Sequence, residues 1–365
     1  MNDTDHQYAP AISAFYDFSP RPPAVKSECI RAYITPTNGA TFAPGSQITM
    51  ELACGTPGQM IDPSQSALSF RIYNGSAQSV QLDKSAACVL SQIDIFHGSR
   101  QLSSISGYNL LQQVLTDFSC GADDYKTSGT MRGVADYVPA AIATAANFTD
   151  AYYARLGATI APGGSLTVCV PLVSILGSMS MRAWPISQAK ENIRIVIKLA
   201  DVLNYGKWSA TPVETCAIDN FKMWVSYIRI DPNVERKMVM DLGGVISVPC
   251  VDFVQTSTSV AAGSNYASMP IAVPDRFDDY SILIRHRGCR ITHGAHEGDG
   301  HAAFRVKGAH CFPMTEAMGD GLLVDSTIIL EMNLGTAQTS AIRLDAFVQM
   351  EKTLVFANGA ITFDA

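Results

Sequence analysis

The stretch Asn192–Ala200, NIRIVIKLA, sets Ile193, Ile195, Ile197 and Leu199 at every second position, with Arg194, Val196 and Lys198 between them. A period of two puts the apolar residues on one face of an extended chain and the others on the opposite face. Such a segment is a half-buried antiparallel strand, because a parallel strand hidden on both faces would be apolar throughout. The same reading applies to ECIRAYITP, SQITMELAC, SALSFRIYN, SQIDIFHG, SLTVCVPLV and NFKMWVSYIRI in the first part of the chain. It applies again to VISVPCVDFVQTSTSV, YASMPIAVP, YSILIRHRG, AAFRVKGAH, STIILEMNL and SAIRLDAFVQMEKTLVF in the last part. Gly, Pro, Asn and Asp break the runs in TPTNG, GTPG, NGS, PGG and IDPN, as turn chemistry requires. The expected class is all-β.

One segment departs from this rhythm. In SGYNLLQQVLTDF (106–118), Leu110, Leu111, Val114, Leu115 and Phe118 form a single helical stripe, and Ser106 stands where an N-cap would. The spacing predicts a helix that lays this stripe over the open end of a β-sandwich. Its polar side, Asn109, Gln112, Gln113 and Thr116, is then expected to face a neighbouring molecule. A long Ala/Gly/Tyr-rich loop over 119–163 follows, in which TDAYYARL has room for one or two helical turns.

The segment IDPNVERKMVMDLGG (230–244) interrupts two strand-rich regions with a proline, a charge cluster and a Gly-Gly pair. The expected organisation is an extended N-terminal arm over 1–25, a first domain over 26–231 containing the 119–163 loop, a linker over 232–243, and a second domain over 244–365. The arm contains four prolines and the aromatics Tyr8, Phe15, Tyr16 and Phe18, which are its candidate docking anchors. Long connections between antiparallel strands point to Greek-key crossings and so to two jelly-roll sandwiches side by side. Immunoglobulin-like sandwiches commonly have about 100 residues each, and the first domain is much longer. A short echo between IFHGSR (95–100) and IRHRGCR (284–290) hints that the halves are duplicates.

Charge narrows the partners. The net charge is −7, and residues 1–60 hold Arg21, Lys26 and Arg31 against Asp3, Asp5, Asp17, Glu28 and Glu51. A chain that grips nucleic acid through phosphates needs clustered cations, so no arm of this kind is expected to bind a genome directly. The cysteine count is nine, with no CxxC, which fits free buried thiols in a reducing compartment. Glycosylation triplets at Asn2, Asn74 and Asn147 are expected to be chance, since no signal peptide is read. No run of 18 apolar residues occurs, so no membrane span is expected.

Chemistry-bearing motifs are few. THGAHEGDGH (292–301) gathers His293, His296, Glu297, Asp299 and His301. Imidazole and carboxylate at this density can hold a transition metal, but the spacing matches neither the His-x-His of cupins nor HExxH. His293, His296 and His301 are therefore the candidate ligands of a site that is not expected to be filled: no metal, no cofactor. Arg285, Arg287 and Arg290 make a local basic patch, with Arg285 and Arg287 on one strand face, for ion pairs within the chain or contact with a phosphate or an acidic neighbour. No nucleophile elbow, phosphate-binding loop or dinucleotide fingerprint is present. Methionines at 179, 181, 238, 240, 314 and 318 read as gap-fillers or assembly contacts.

Taken in order, GTPGQMIDPSQSALSFRIYN, SQIDIFHGSRQLSSISGYNLLQQVLTDF, LTVCVPLVSILGSMSMRAWPI, NIRIVIKLAD and FKMWVSYIRIDP resemble the N-terminal roll of viral double jelly-roll major capsid proteins. TSTSVAAGSNYASMPIAVPDRFDDYSILIRHRG resembles their C-terminal roll, and the likeness of pattern and order covers roughly residues 45–355. The resemblance implies a non-enzymatic subunit of a small icosahedral virus, forming pseudo-hexameric homotrimers that tile a shell. Its partners would be copies of itself and other capsid proteins such as a vertex protein, with the genome met only indirectly. Its place would be the virion, after synthesis and assembly inside the host cell. The missing Arg-rich arm points to a DNA virus or phage. Two other classes remain open from the residues: a bicupin-like metal-dependent enzyme using the 293–301 histidines, and a two-domain lectin or adhesin.

Overall fold

A computed structural model describes residues 27–119, 128–134, 157–177, 179–180, 182–209, 216–264, 266–273, 280–287, 303–305, 326–333 and 342–363. The described strands of the first half are, in chain order, β1 (Glu28–Ile34), β2 (Thr41–Phe42), β3 (Gln47–Leu52), β4 (Gln59–Asn74), β5 (Val80–Leu82), β6 (Leu90–His97), β7 (Arg100–Ser106), β8 (Thr159–Ile160), β9 (Ser165–Pro171), β10 (Ile193–Leu199), β11 (Gly206–Trp208) and β12 (Cys216–Arg229). Helix α1 (Tyr108–Ser119) lies between β7 and β8, and helix α2 (Pro232–Asp241) follows β12.

The long strands form two antiparallel sheets, β1-β12-β4-β9 and β3-β10-β6-β7. Numbered one to eight in chain order, these strands stand as first, eighth, third and sixth in one sheet and second, seventh, fourth and fifth in the other. That nesting is the jelly roll. The short strands β11, β5 and β8 form a small third sheet.

The second half repeats the arrangement with β13 (Val245–Val260), β14 (Tyr266–Val273), β15 (Tyr280–Arg287), β16 (Ala303–Arg305), β17 (Ser326–Asn333), β18 (Ile342–Ala357) and β19 (Ala360–Phe363). The order β13-β18-β15-β16 matches β1-β12-β4-β9, and β14 paired with β17 matches β3 paired with β10. The chain is a double jelly roll. The sequence echo does not mark this repeat. IFHGSR turns from β6 into β7, whereas IRHRGCR begins on β15, the counterpart of β4. The halves correspond in strand order, and the shared letters fall at unrelated places.

Alternation does what its period requires. In β10, Ile193, Ile195, Ile197 and Leu199 are buried to 1% exposure or less, while Arg194 and Lys198 are exposed. Its neighbours β3 and β6 turn Ile48, Met50, Leu52, Ile93 and Ile95 to the same core. Phe70 and Phe221 stack across that core from the facing sheet at 5.3 Å.

The helix begins later than its stripe suggested. RQLSSIS is not part of a helical approach but the strand β7, which closes its sheet after a hairpin at Gly98–Ser99. Ser106 is the last residue of that strand, so it is not the cap. The carbonyl of Gly107 accepts from the amides of Leu110 and Leu111 at 2.9 and 3.0 Å, making Gly107 the capping position. Glycine suits it twice. Its φ is +59°, and a Cβ there would stand 2.4 Å from Gln255 of the second roll. The expected stripe is buried at Leu110, Leu111 and Val114, joined by Tyr108.

β12 ends at Arg229 and β13 begins at Val245, with α2 between them. Asp231 caps α2 by accepting from the Asn233 amide at 2.8 Å, and Pro232 opens the helix. Within the expected loop 119–163, the described residues form a 3₁₀ turn at Thr130–Arg132 and the strand β8. The arm 1–25 and TDAYYARL lie outside the described residues.

The strand pattern makes a direct expectation. Ile197→Ala, at a fully buried site, should cost about 2–5 kcal/mol, whereas Lys198→Ala on the opposite face should change stability by less than about 0.5 kcal/mol. Denaturant unfolding of the two variants reads the difference.

Candidate functional site

The two rolls meet along a seam that is apolar inside and polar at its margins. Val248, Cys250, Phe253, Phe347, Leu354, Phe356 and Ile361 of the second roll belong to one continuous core with Leu102, Ile105, Leu111 and Trp184 of the first. Trp184 is fully buried, packs edge-on against Phe356 at 5.7 Å, and donates from Nε1 to Ser180 Oγ at 3.0 Å. Main-chain bonds also cross the seam. The Lys190 amide donates to the Gly359 carbonyl at 2.9 Å, and the Val251 amide to the Met179 carbonyl at 3.0 Å.

One buried carboxylate bridges the two rolls, and a second ties the connecting helix α2 to the first roll. Asp252, 2% exposed, accepts from Ser103 Oγ of the first roll at 2.7 Å and from Lys352 Nζ of the second at 2.7 Å. Glu235 of α2, 3% exposed, accepts from the Gly58 amide at 2.6 Å, from Ser187 Oγ and from Gln188 Nε2 at 3.3 Å. Each carboxylate is held by groups from more than one element, which is what makes a buried charge tolerable. On the margin, Asp345 accepts from Gln255 Nε2 at 2.8 Å and Arg343 Nε at 3.0 Å.

His97 ends β6 at the same seam and is 7% exposed. Its Nδ1 accepts from the Ile361 amide at 3.4 Å, so the ring must be neutral to make this contact. Desolvation lowers its pKa below the ordinary 6.5, with Glu191 opposing the shift.

The polar residues of α1 are placed differently from the expectation. Gln112 and Gln113 are 4% and 1% exposed and do not form a free face. Gln112 Nε2 donates to Tyr108 Oη at 2.8 Å and to the Pro171 carbonyl at 2.9 Å, and Gln113 Nε2 donates to the Asp83 carbonyl at 3.0 Å. The Tyr108 hydroxyl in turn accepts from the Val173 amide at 2.9 Å, and burial pushes its pKa up to about 12. The helix is sunk into the end of the roll deeply enough that its amides tie strand ends together. Asn109 is half-buried. The Thr116 side chain lies outside the described residues.

Of the remaining candidates, Arg285 and Arg287 lie on β15, opposite Asp345 and Arg343 of β18 in the ladder. Arg290, the histidines His293, His296 and His301, and the arm aromatics Tyr8, Phe15, Tyr16 and Phe18 all lie outside the described residues. Among the described residues no group of three or more His, Cys, Asp or Glu is placed to hold a metal. The described cysteines are free, and Cys88, Cys216 and Cys250 are buried while Cys29 is exposed. Asn74 is fully buried and its amide donates to the Gln78 and Ile160 carbonyls, so no glycan can reach it. Among the described residues, no helix is long and apolar enough to cross a membrane.

Two surfaces escaped the sequence reading. On the outer face of sheet β1-β12-β4-β9, Tyr33 is 52% exposed and packs edge-on against Trp224 at 5.4 Å, with Lys222 over Tyr33 and Arg31 over Trp224. At the other place, the end of α2 and the start of β13 expose Met238, Met240, Leu242 and Val245. Only the methionines at 238 and 240 gave a signal, through their mention as possible assembly contacts.

No family model matches the chain, and no curated protein matches it in sequence. Solved structures do match in fold. PBCV-1 VP54, from a crystal structure fitted into a cryo-EM reconstruction of the virophage Sputnik, aligns with TM-score 0.58 at 11% identity, over 96% of this chain and 99% of VP54. A chain of the PBCV-1 virus capsid quasi-atomic model aligns with TM-score 0.54 at 12% identity, over 96% and 99%. A chain from the 3.5 Å cryo-EM structure of the Sputnik virophage aligns with TM-score 0.50 at 8% identity, over 96% and 91%.

The seam yields two expectations. Asp252→Ala leaves Lys352 without its partner and should cost about 3 kcal/mol, while Ser103→Ala should cost about 1 kcal/mol, both read by denaturant unfolding. The lowered pKa of His97 means that its contribution is intact above pH 6.5 and is lost as pH falls from there through the folded-state value. His97→Gln keeps an acceptor for Ile361 but cannot titrate. Thermal melts should therefore show wild type losing more stability than His97→Gln between pH 7.5 and 5.

Proposed function

We propose that this chain, a double jelly roll over nearly its whole length, is the major capsid protein of an icosahedral virus. The observation that carries the reading is the strand order, matched between the halves over the described strands, together with alignment over 96% of the chain to the PBCV-1 and Sputnik structures. The PBCV-1 chain is described as part of a virus capsid. Two rolls per chain make a homotrimer nearly six-sided, and such a trimer tiles a shell with one kind of subunit. The work of the protein is then burial of matching surfaces, not conversion of a substrate.

The physical design suits that role. A continuous core and the buried Asp252 lock the two rolls, so the subunit presents its outer faces in a fixed relation. Pre-organised surfaces lose less freedom on association than jointed ones. Strand faces rich in Ser, Thr, Asn and Gln stay wet before assembly and accept burial with satisfied hydrogen bonds afterwards. A net charge of −7 with no basic arm in residues 1–60 supports contact with the genome through other components, as in shells of DNA viruses and phages. In this reading the partners are its own copies and other shell proteins such as a vertex protein, and its place is the virion, assembled inside the host cell.

Size-exclusion chromatography with light scattering and negative-stain imaging of the full chain test the reading. Trimers with a six-sided outline, alone or as closed shells, are the expected result. A chain that stays monomeric at high concentration refutes it.

A further inference from the structure

The short strand β19 of the second roll is tied to the first roll at its turn and along its outer edge. β18 turns into β19 at Asn358 and Gly359, both with positive φ, and Ala357 pairs with Ala360 to close the hairpin. In such a ladder the closing pair exchanges both main-chain bonds and the next pair exchanges none. That next pair is Phe356 and Ile361, so the Ile361 amide points away from β18. It donates instead to His97 Nδ1 of the first roll at 3.4 Å, while the Ile361 side chain, 1% exposed, enters the shared core. The Lys190 amide holds the turn through the Gly359 carbonyl at 2.9 Å, and the Lys190 stem lies over the Gly359 α-carbon.

His97 makes this tie conditional. Its Nε2 is buried with no hydrogen-bond partner among the described residues, so the neutral ring carries its proton there and offers Nδ1 as the acceptor. A second proton can go only on Nδ1, where the Ile361 N–H already points. Two donors then face each other in a buried place, and the amide loses its partner. The surroundings offer the imidazolium little. Arg100 of β7 stands opposite His97 in the ladder, and Lys190 lies on the hairpin turn. Lys352 of β18, over the Phe363 ring, is held by Asp252 of β13. Glu191, its carboxylate against Gly98, is the acidic group that favours the charged ring, and desolvation outweighs it.

We propose that the β18–β19 hairpin is an acid-released clasp: protonation of His97 frees it from the first roll while the Asp252 bridge and the rest of the seam stay closed. Release opens the Ile361 side chain and the adjoining Phe356–Trp184 contact to water at one place on the seam. Both rolls stay folded and attached. The clasp is whole above pH 6.5 and weakens as pH falls from there through the folded-state value, which lies lower.

Hydrogen exchange of the full chain, read by mass spectrometry at pH 7.5 and pH 5, tests the clasp. Labelling times at pH 5 are lengthened to offset the slower intrinsic exchange. Protection of the peptide covering residues 354–363 should fall roughly tenfold at pH 5, while peptides covering Val251 and β10 keep theirs. In His97→Gln, which cannot titrate, the 354–363 peptide should be equally protected at both pH values. Glu191→Gln removes the group that favours the charged ring, so its loss of protection should set in at lower pH than in wild type. Unchanged protection of 354–363 in wild type at pH 5 overturns the proposal. So does an equal loss in His97→Gln, or a matching loss at Val251 and β10, which would mean that the whole chain opens. Should His97→Gln fail to fold, Glu191→Gln decides: a loss that sets in at the wild-type pH or higher overturns the proposal.

Discussion

An antiparallel sheet with one apolar face is stable only when that face is covered, and in this chain the main strands of the first roll turn most of their apolar residues to one side. Ile193, Ile195, Ile197 and Leu199 of β10 lie against Phe70, Ile72 and Phe221 of the facing sheet, and none is more than 2% exposed. Two layers meeting in this way leave open ends, where no strand covers the core. Helix α1 closes one of them with Tyr108, Leu110, Leu111 and Val114. Its glutamines then have no water to turn to, and they bond to the carbonyls of Asp83 and Pro171 instead.

The same rule, applied a second time, explains why the rolls are joined rather than strung together. Apolar residues of β13 and β18 merge with those of β7 and the segment around Trp184 into a single core. An apolar seam alone would tolerate sliding. A directional group prevents it: Asp252 must meet Ser103 of the first roll and Lys352 of the second, while Glu235 of α2 holds the connecting helix to Gly58, Ser187 and Gln188 of the first roll. Buried carboxylates have few acceptable positions, because any displacement leaves a charge unpaired in a dry setting. The price in desolvation is set against two rolls held in one definite relation.

Surface chemistry divides along similar lines. Tyr33, Trp224, Arg31 and Lys222 satisfy one another through ring and cation contacts on a sheet face. At the end of α2 and the start of β13, Met238, Met240, Leu242 and Val245 are instead left exposed to solvent.

How much of this could be read from the letters depends on the range of the force involved. Period-two strands, the stripe of α1 and the break between halves all follow from residues close in sequence, and local sterics and burial fix them. RQLSSIS escaped because its serines hide the alternation: Ser103 is buried only because it meets Asp252, 149 residues away. Gln112 and Gln113 looked like surface residues because their partners on other elements are invisible in a local window. The sequence by itself determined that the chain is all-β, in two strand-rich halves with one capping helix, since backbone pleat and apolar period are properties of a short segment. Tertiary structure alone decided which strands became neighbours, that the seam is a shared core latched by the buried Asp252, and which apolar residues stayed in water, because each of those rests on contacts between residues that only folding brings together.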